Sequence, residues 1–237
     1  MKKSILFLLC LIFSFSVYAA AEDKTLYYSW LDKDKEIYVL QNRKFRKDGR
    51  VYIGFNGVKT TSGVFVDSYG VSGRAGYFFT EDWGFEIAAG KNTGQINNTA
   101  RGVQEQGAVP YYRKIDSYLA AMAMWSPFYS KINTFNKIFY YDWMFGFGLA
   151  NIKTLDNRNA FDTGSADADK LTSQNNMGVI WNTGLRFYVN ENWSVRLDFT
   201  GLHYQATRSR ENSTNEDLSA KTLFSNYDLG IGLNYSF

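Results

Sequence analysis

Hydrophobic and polar residues alternate with a period of two along much of the chain. The clearest run lies at the C-terminus, where apolar side chains occupy the odd positions and small or polar ones the even positions: Tyr227, Leu229, Ile231, Leu233, Tyr235 and Phe237 against Asp228, Gly230, Gly232, Asn234 and Ser236. Successive side chains of a β-strand point to opposite faces. The run therefore predicts a strand with one apolar and one polar face.

The same alternation recurs and predicts eight strands in all. Their centres are residues 51–55, 69–79, 83–89, 117–125, 139–149, 179–189, 193–199 and 227–237. In the fourth, small or apolar residues occupy both faces, so its inward face stays ambiguous. Strands of about ten residues have the length that a tilted strand needs to cross a bilayer.

The predicted connections differ in length on the two sides of the sheet. Short turns follow the second and sixth strands, at Glu81-Asp82 and Asn190–Asn192, and a somewhat longer connection, Ser126–Asn136, follows the fourth. The first connection on the other side, Lys59–Gly63, is short, and three long polar ones follow: Asn92–Arg113, Asn151–Asn176 and Tyr204–Thr222. Both prolines are expected outside the strands, where they cost no ladder hydrogen bond. Short turns opposite long loops are typical of an outer-membrane barrel with its turns in the periplasm.

The N-terminus predicts export from the cytoplasm. Lys2 and Lys3 precede a short apolar run and small-residue cleavage sites, so residues 1–21 are predicted to be a signal peptide, cleaved after Ala19 or Ala21. Cys10 would be removed with it, leaving a mature chain without disulfides. Residues 22–50, rich in charge, are predicted to form a periplasmic arm before the barrel domain at 51–237.

Composition changes this interpretation little. Without Lys2 and Lys3, 24 basic and 23 acidic residues remain, a net charge of +1, which gives no support for binding nucleic acid. The aromatic fraction of 18%, with only two prolines, suits strands that meet a membrane interface.

Charged residues mark the polar face of the predicted strands. They are Arg74, Glu86, Asp142, Arg186, Arg196, Asp198 and Asp228. A soluble lipocalin-like barrel would bury them in a dry core at high cost, and a soluble sandwich would not need such asymmetric connections. Lining a polar lumen with charge is normal in a membrane barrel. The prediction is therefore an all-β, eight-stranded antiparallel up-and-down transmembrane β-barrel.

Positions around the turns predict how these charges meet. Arg186 and Arg196 lie equally far from Glu191 and should face each other, while Arg74 and Glu86 flank their turn and can pair. We expect a charge-paired plug that blocks an open channel. The alternative is a set of independently hydrated side chains around a narrow water path.

Two sets of residues resemble known families. The ending Leu233-Asn234-Tyr235-Ser236-Phe237 resembles the C-terminal signal of bacterial outer-membrane proteins, which implies recognition of Leu233, Tyr235 and Phe237 by the barrel-assembly machinery. The stretches Val39–Phe45 with Gly49-Arg50, and Trp125–Lys131, look like small exported barrels of the outer membrane beta-barrel domain family. In size the chain is similar to OmpA-type eight-stranded barrels, without their peptidoglycan-binding domain.

These observations predict a Gram-negative outer-membrane protein with a structural or surface-interaction role. The first alternative is a narrow pore for ions or small solutes. The more distant one is a lipid A-modifying enzyme using His203, although this histidine shares the parity of the lipid-facing row. No catalytic residue, metal or cofactor is predicted. The expected partners are outer-membrane lipid and lipopolysaccharide, the assembly machinery and, in one option, a second copy of the chain.

Overall fold

The computed structural model describes residues 43–134, 137–163, 171–207 and 221–237, so the predicted signal peptide and most of the predicted arm lie outside the described residues. The described residues form a closed ring of eight antiparallel strands in chain order, which confirms the predicted fold class. The strands are β1 Val51–Thr60, β2 Val66–Phe78, β3 Trp83–Ile96, β4 Arg113–Thr134, β5 Lys137–Asp156, β6 Thr172–Tyr188, β7 Trp193–Thr207 and β8 Lys221–Ser236.

Apolar side chains cover the outside of the ring, and charges lie within it. In β1, Ile53 and Phe55 are 49% and 63% exposed, whereas Tyr52 is 1% exposed. The largest fully buried side chains include Arg186 and Arg196. This order is the reverse of that in a soluble protein and is the arrangement of a barrel whose outer wall meets lipid.

Pairing between β1 and β8 closes the ring, with a register from Tyr52↔Ser236 to Thr60↔Asp228. When the register is followed once around the ring from Asp142 of β5, it returns to the same strand at Ile152, ten residues further along. This stagger tilts the strands and, with their number, sets the width of the barrel. Eight strands leave an interior that side chains can fill.

The predicted connection Ser126–Asn136 is wrong, because β4 continues to Thr134 and β5 begins at Lys137. Pro127 therefore lies within a strand. It sits at a register shift between Trp125 and Phe128, where a bulge interrupts the ladder. A bulge leaves a residue unpaired, so the missing N–H of proline costs no hydrogen bond there.

The long loops are also shorter than the sequence predicts, since the strands extend into them. β3 runs to Ile96, β5 to Asp156 and β7 to Thr207. We call this end of the barrel the loop end, and the opposite end, with Val51, Phe237 and the short turns, the turn end. At the turn end, Asn190 closes its turn by accepting a hydrogen bond from the Trp193 N–H at 2.7 Å.

Residues 43–50, the mouth segment, fold against the turn end. The Gly49 N–H donates to the Phe78 carbonyl at 2.9 Å, and the Phe78 N–H donates to the Arg50 carbonyl at 3.1 Å. Gly49 has a φ of 71°, a left-handed conformation that favours glycine. The turn brings the residues before it across the opening, where Phe45 stacks on Tyr188 with 4.8 Å between ring centroids.

Two short helices occur at the loop end of the described chain, α1 at Asn98–Glu105 and α2 at Arg158–Thr163. Asn97 caps α1, because its side chain accepts a hydrogen bond from the Ala100 N–H at 3.0 Å. None of the helices in the described ranges has the length and apolar character needed to cross a membrane.

We predict that an arginine at Ile231 destabilises the barrel strongly. Ile231 is 60% exposed on the outer face of β8. A charge facing hydrocarbon near the midplane costs about 2–4 kcal/mol, against about 0–1 near the interface. The matched control is Val189→Arg, at an exposed position beside the turn end. Denaturant titration of folding into lipid vesicles measures both, and equal losses would contradict a lipid-facing wall.

Candidate functional site in the barrel lumen

A four-residue ion network occupies the centre of the lumen. Glu86 accepts from Arg74 at 2.7 Å and from Arg196 at 2.5 Å, and Tyr52 donates to the same carboxylate at 2.5 Å. Arg196 also donates to Asp198 at 2.7 Å, and Asp198 lies 3.8 Å from Arg74. The four charged residues come from the neighbouring strands β2 and β3 and from β7, so the network joins opposite parts of the ring.

Neutral polar side chains provide further hydrogen bonds to this network. Asn56 donates to Asp198 at 2.8 Å, and Arg196 donates to the side-chain Oδ1 of Asn182 at 2.8 Å. Asn182 in turn donates to Thr200 at 2.8 Å. Buried charges are tolerated when they are paired and their remaining hydrogen-bonding positions are satisfied, and this network meets most of that requirement.

Apolar side chains fill the lumen beside the network. Met122 stands opposite Glu86 in the register of β3 and β4 and is fully buried, as are Met124 and Met144. Gly146 leaves space for this packing, since a Cβ there would lie 2.8 Å from the Met124 sulfur. Unbranched methionine suits such irregular gaps. The lumen is therefore filled by both charge and hydrocarbon.

The mouth segment adds a second ion pair at the turn end. Lys47 lies 3.0 Å from the Asp142 carboxylate and donates to Ser126 at 2.7 Å. Tyr188 also donates a short hydrogen bond to Asp142. Burial lowers the pKa of the Lys47 ammonium, and the neighbouring Asp142 carboxylate opposes that shift. The cation that pairs with Asp142 is therefore supplied by the mouth segment and not by a barrel strand.

Arg186 is held by aromatic faces. Its guanidinium lies 4.5 Å from the ring centroid of Tyr52 and 5.4 Å from that of Phe78. It stands opposite Arg196 in the register, as the sequence predicts, and opposite Asp142 on its other side. No ion pair of Arg186 is found within the described part of the chain.

Asp228 lies apart from the other predicted lumen charges. It accepts hydrogen bonds from Thr60 at 2.7 Å and from Asn226 at 2.9 Å, toward the loop end. Of the seven predicted residues, the structure thus joins four in one network, pairs Asp142 with the mouth segment, and leaves Arg186 and Asp228 outside both.

A further buried pair closes the loop end and was missed by the sequence analysis. Arg113 lies 2.9 Å from the Asp156 carboxylate and 4.5 Å above the ring of Phe224. It also donates to the Thr207 carbonyl at 2.6 Å. Both charged residues fall in stretches predicted to be loops. An extension of the inward parity of β5 to Asp156 would have indicated that this residue points into the lumen.

Of the predicted assembly-signal residues, Leu233 and Tyr235 lie on the outer face of β8 and Phe237 directly follows the strand. Leu233 and Phe237 are exposed, and Tyr235 contacts Trp193 with 5.0 Å between ring centroids. The Phe237 N–H donates to the Val51 carbonyl at 2.9 Å, which continues the β1–β8 ladder to the last residue. Their recognition by the assembly machinery stays a prediction.

His203 lies on the outer wall between two partners. The Trp181 N–H donates to its Nε2 at 2.9 Å, and its Nδ1 lies 2.9 Å from the Ser225 hydroxyl. Because the indole can only donate, neutral His203 carries its proton on Nδ1 and donates to Ser225. A base that activates serine must accept the hydroxyl proton, so this geometry does not form a nucleophile–base pair. Within the described ranges, no cluster of His, Cys, Asp or Glu is arranged to hold a metal ion.

A family model described as "Outer membrane protein beta-barrel domain" matches residues 7–237. Comparison with curated protein sequences found no match. Similar solved structures include Neisserial surface protein A (14% identity, 80% of this chain and 100% of that chain, TM-score 0.48). The barrel domain of Pseudomonas aeruginosa OprF (16%, 80% and 98%, 0.43) and Pseudomonas aeruginosa OprG (14%, 81% and 98%, 0.45) are also similar.

We predict that Glu86→Gln lowers the free energy of unfolding by about 3–5 kcal/mol, because two buried arginines lose their shared carboxylate. Glu105→Gln, at the exposed end of α1, is the control and should change it by no more than about 0.5 kcal/mol. Denaturant titration in lipid vesicles measures both. A loss at Glu86 no larger than at Glu105 would contradict a tightly coupled network.

We also predict that acid loosens the mouth segment. Burial alone would raise the pKa of Glu81, but hydrogen bonds from the Lys47 and Asp48 N–H groups and from Arg46 outweigh it and lower the pKa below its usual value. A carboxyl group with a lowered pKa stabilises the docked state at pH values above its unfolded pKa of about 4.3, and this contribution is lost as the pH falls through the lower folded pKa.

Hydrogen exchange at residues 43–50, corrected for the intrinsic pH dependence, measures this effect. Protection should be high at pH 6 and fall at pH 3, and Glu81→Gln should lose most of that response. The same pH response in the variant would show that Glu81 does not hold the segment.

Proposed function

The chain belongs to the outer membrane protein beta-barrel family, and on that premise we propose that it is a sealed outer-membrane scaffold that presents its loop end for interaction at the cell surface. The turn end would face the periplasm and the loop end the exterior, in line with short turns opposite long loops. The outer wall would contact lipid and lipopolysaccharide.

The observation that carries the proposal is the filled lumen. Glu86, Arg196 and Asp142 are each 0% exposed, although they are charged and face the barrel axis. Arg196 on β7 reaches across the lumen to Glu86 on β3, and Lys47 reaches Asp142 from the mouth segment. A transport path would have to break ion pairs that are shielded from water, and the cost of leaving one such charge unpaired is several kcal/mol.

Features of the loop end support a role in interaction. α1 has its own cap and follows Asn97, whose side chain also donates to the Val64 carbonyl at 2.7 Å. That bond ties the loop after β3 to the loop after β1. The Arg113–Asp156 pair joins the start of β4, which follows α1, to the end of β5, which precedes α2. An ordered, closed platform suits presentation of a surface to a partner more than passage of solute.

A narrow pore for ions or small solutes is the second candidate. Some buried polar atoms have no hydrogen-bond partner among the described residues, including Asn56 Oδ1, Ser72 Oγ and Asp228 Oδ2. Such atoms are ordinarily satisfied by water. A water chain linking them would be the path that this alternative requires.

Catalysis on lipid A is not proposed. The protonation of His203 set by Trp181 opposes its use as a base toward Ser225. Recognition of Leu233, Tyr235 and Phe237 during insertion, and self-association through the outer wall, remain further proposals about partners.

Single-channel recording distinguishes the scaffold from the pore. The protein, purified from outer membranes and shown to be folded by its heat-modifiable gel migration, should be silent in planar bilayers. Arg196→Ala should lower thermal stability and produce conductance steps, because it removes the residue that joins Glu86 to Asp198.

The matched control is Arg101→Ala, at an exposed position in α1, which should leave both properties unchanged. Conductance steps from the folded, unmodified protein would overturn the sealed lumen and favour the pore. A silent Arg196→Ala barrel of unchanged stability would show that the network is not the seal.

A further inference from the structure

The buried charges in the central and turn-end parts of the lumen do not balance. Four cations face three carboxylates among the described residues there: Lys47, Arg74, Arg186 and Arg196 against Glu86, Asp142 and Asp198. The ion pairs engage all three carboxylates with the other three cations. The excess positive charge therefore lies on Arg186. The remaining lumen carboxylates, Asp156 and Asp228, belong to the loop end.

Arg186 also lacks hydrogen-bond acceptors for part of its guanidinium group. Its side chain is 1% exposed, yet Nε and Nη2 have no acceptor within the part of the chain that the structure describes. Tyr52 and Phe78 support its guanidinium from the side but offer no acceptor to these N–H groups. A buried guanidinium with two unpaired donors is costly unless an acceptor joins it.

A cleft beside Arg186 has room for such an acceptor. It lies between the mouth segment and the barrel, and its cationic lining consists of Arg46, Lys47, Arg50 and Arg186. Glu191 is the acidic residue among those that line it, and it is exposed on the turn after β6. The volume is about 10 Å³, at the lower limit for one water-sized particle, so a halide would enter with a small outward shift of the lining side chains. A tetrahedral oxyanion such as sulfate would not fit.

We propose that this cleft binds one small inorganic anion, a halide such as chloride, which accepts hydrogen bonds from Arg186 and neutralises its charge. The anion would also face Lys47 and Arg50, so it would hold the mouth segment to the barrel. This site goes beyond the proposed scaffold role and does not depend on it. A competing arrangement, in which Arg186 turns to the unpaired Oδ1 of Asp142, predicts no halide dependence.

The first test compares thermal unfolding of the purified protein in sodium chloride and in sodium gluconate at equal ionic strength. Gluconate is too large for the cleft. The melting temperature should rise with chloride concentration in a saturable way, by about 2–4 °C. Arg186→Met should lose this rise in melting temperature, because it removes the charge that binds the anion. Methionine is chosen because its unbranched side chain still fills most of the space of arginine.

Arg113→Met is the matched control, since it removes a buried arginine at the opposite end of the lumen. It should lower stability but keep the response to chloride. The same response in Arg186→Met as in the unmodified protein, or none in the unmodified protein, would overturn the proposal.

Crystals soaked in sodium bromide provide a measurement that needs no variant. An anomalous peak within about 3.5 Å of Arg186 Nε or Nη2 would support the site. A bromide-soaked crystal with no peak there, or with Arg186 paired to Asp142, would overturn it even if Arg186→Met does not fold.

Discussion

Closure of the hydrogen-bond ladder between β1 and β8 is the constraint on which the rest of the structure depends. Backbone polar groups in lipid have no water to bind, so a membrane-spanning sheet must join its edges. With eight strands and a stagger of ten residues, closure also sets a narrow interior. Inward charges from strands distant in sequence are then forced within contact distance. The Glu86–Arg196 pair between β3 and β7 is a direct result.

The sequence was sufficient to predict the eight strands and which of their side chains face outward, because lipid imposes a strict period of two on each strand. The pairing of Arg74 with Glu86 followed from their symmetry about the Glu81-Asp82 turn. At Pro127 the same reasoning failed. The proline interrupts alternation, and a bulge that absorbs it cannot be distinguished from a loop by period alone.

The partners of the lumen charges were harder to predict than their positions. Lys47 comes from a segment without periodicity, so nothing in its local sequence indicated that it pairs with Asp142. Asp156 and Arg113 belong to parts of the strands that extend past the apolar wall, where the outward residues are polar and the alternation fades. The Lys47–Asp142 pair depends on the closed ring, which local pattern does not contain. Arg113 and Asp156 are register partners on neighbouring strands, so only the fading alternation concealed their pairing.

The mouth segment has a consequence for the order of folding. Its partners lie on separate elements: Glu81 on the turn after β2, Ser126 on β4, Asp142 on β5 and Tyr188 on β6. Its binding surface therefore does not exist until these strands are in register. Docking of residues 43–50 therefore comes late in folding and requires a correctly assembled ring, so a chain with a slipped strand would leave this segment exposed to proteolysis.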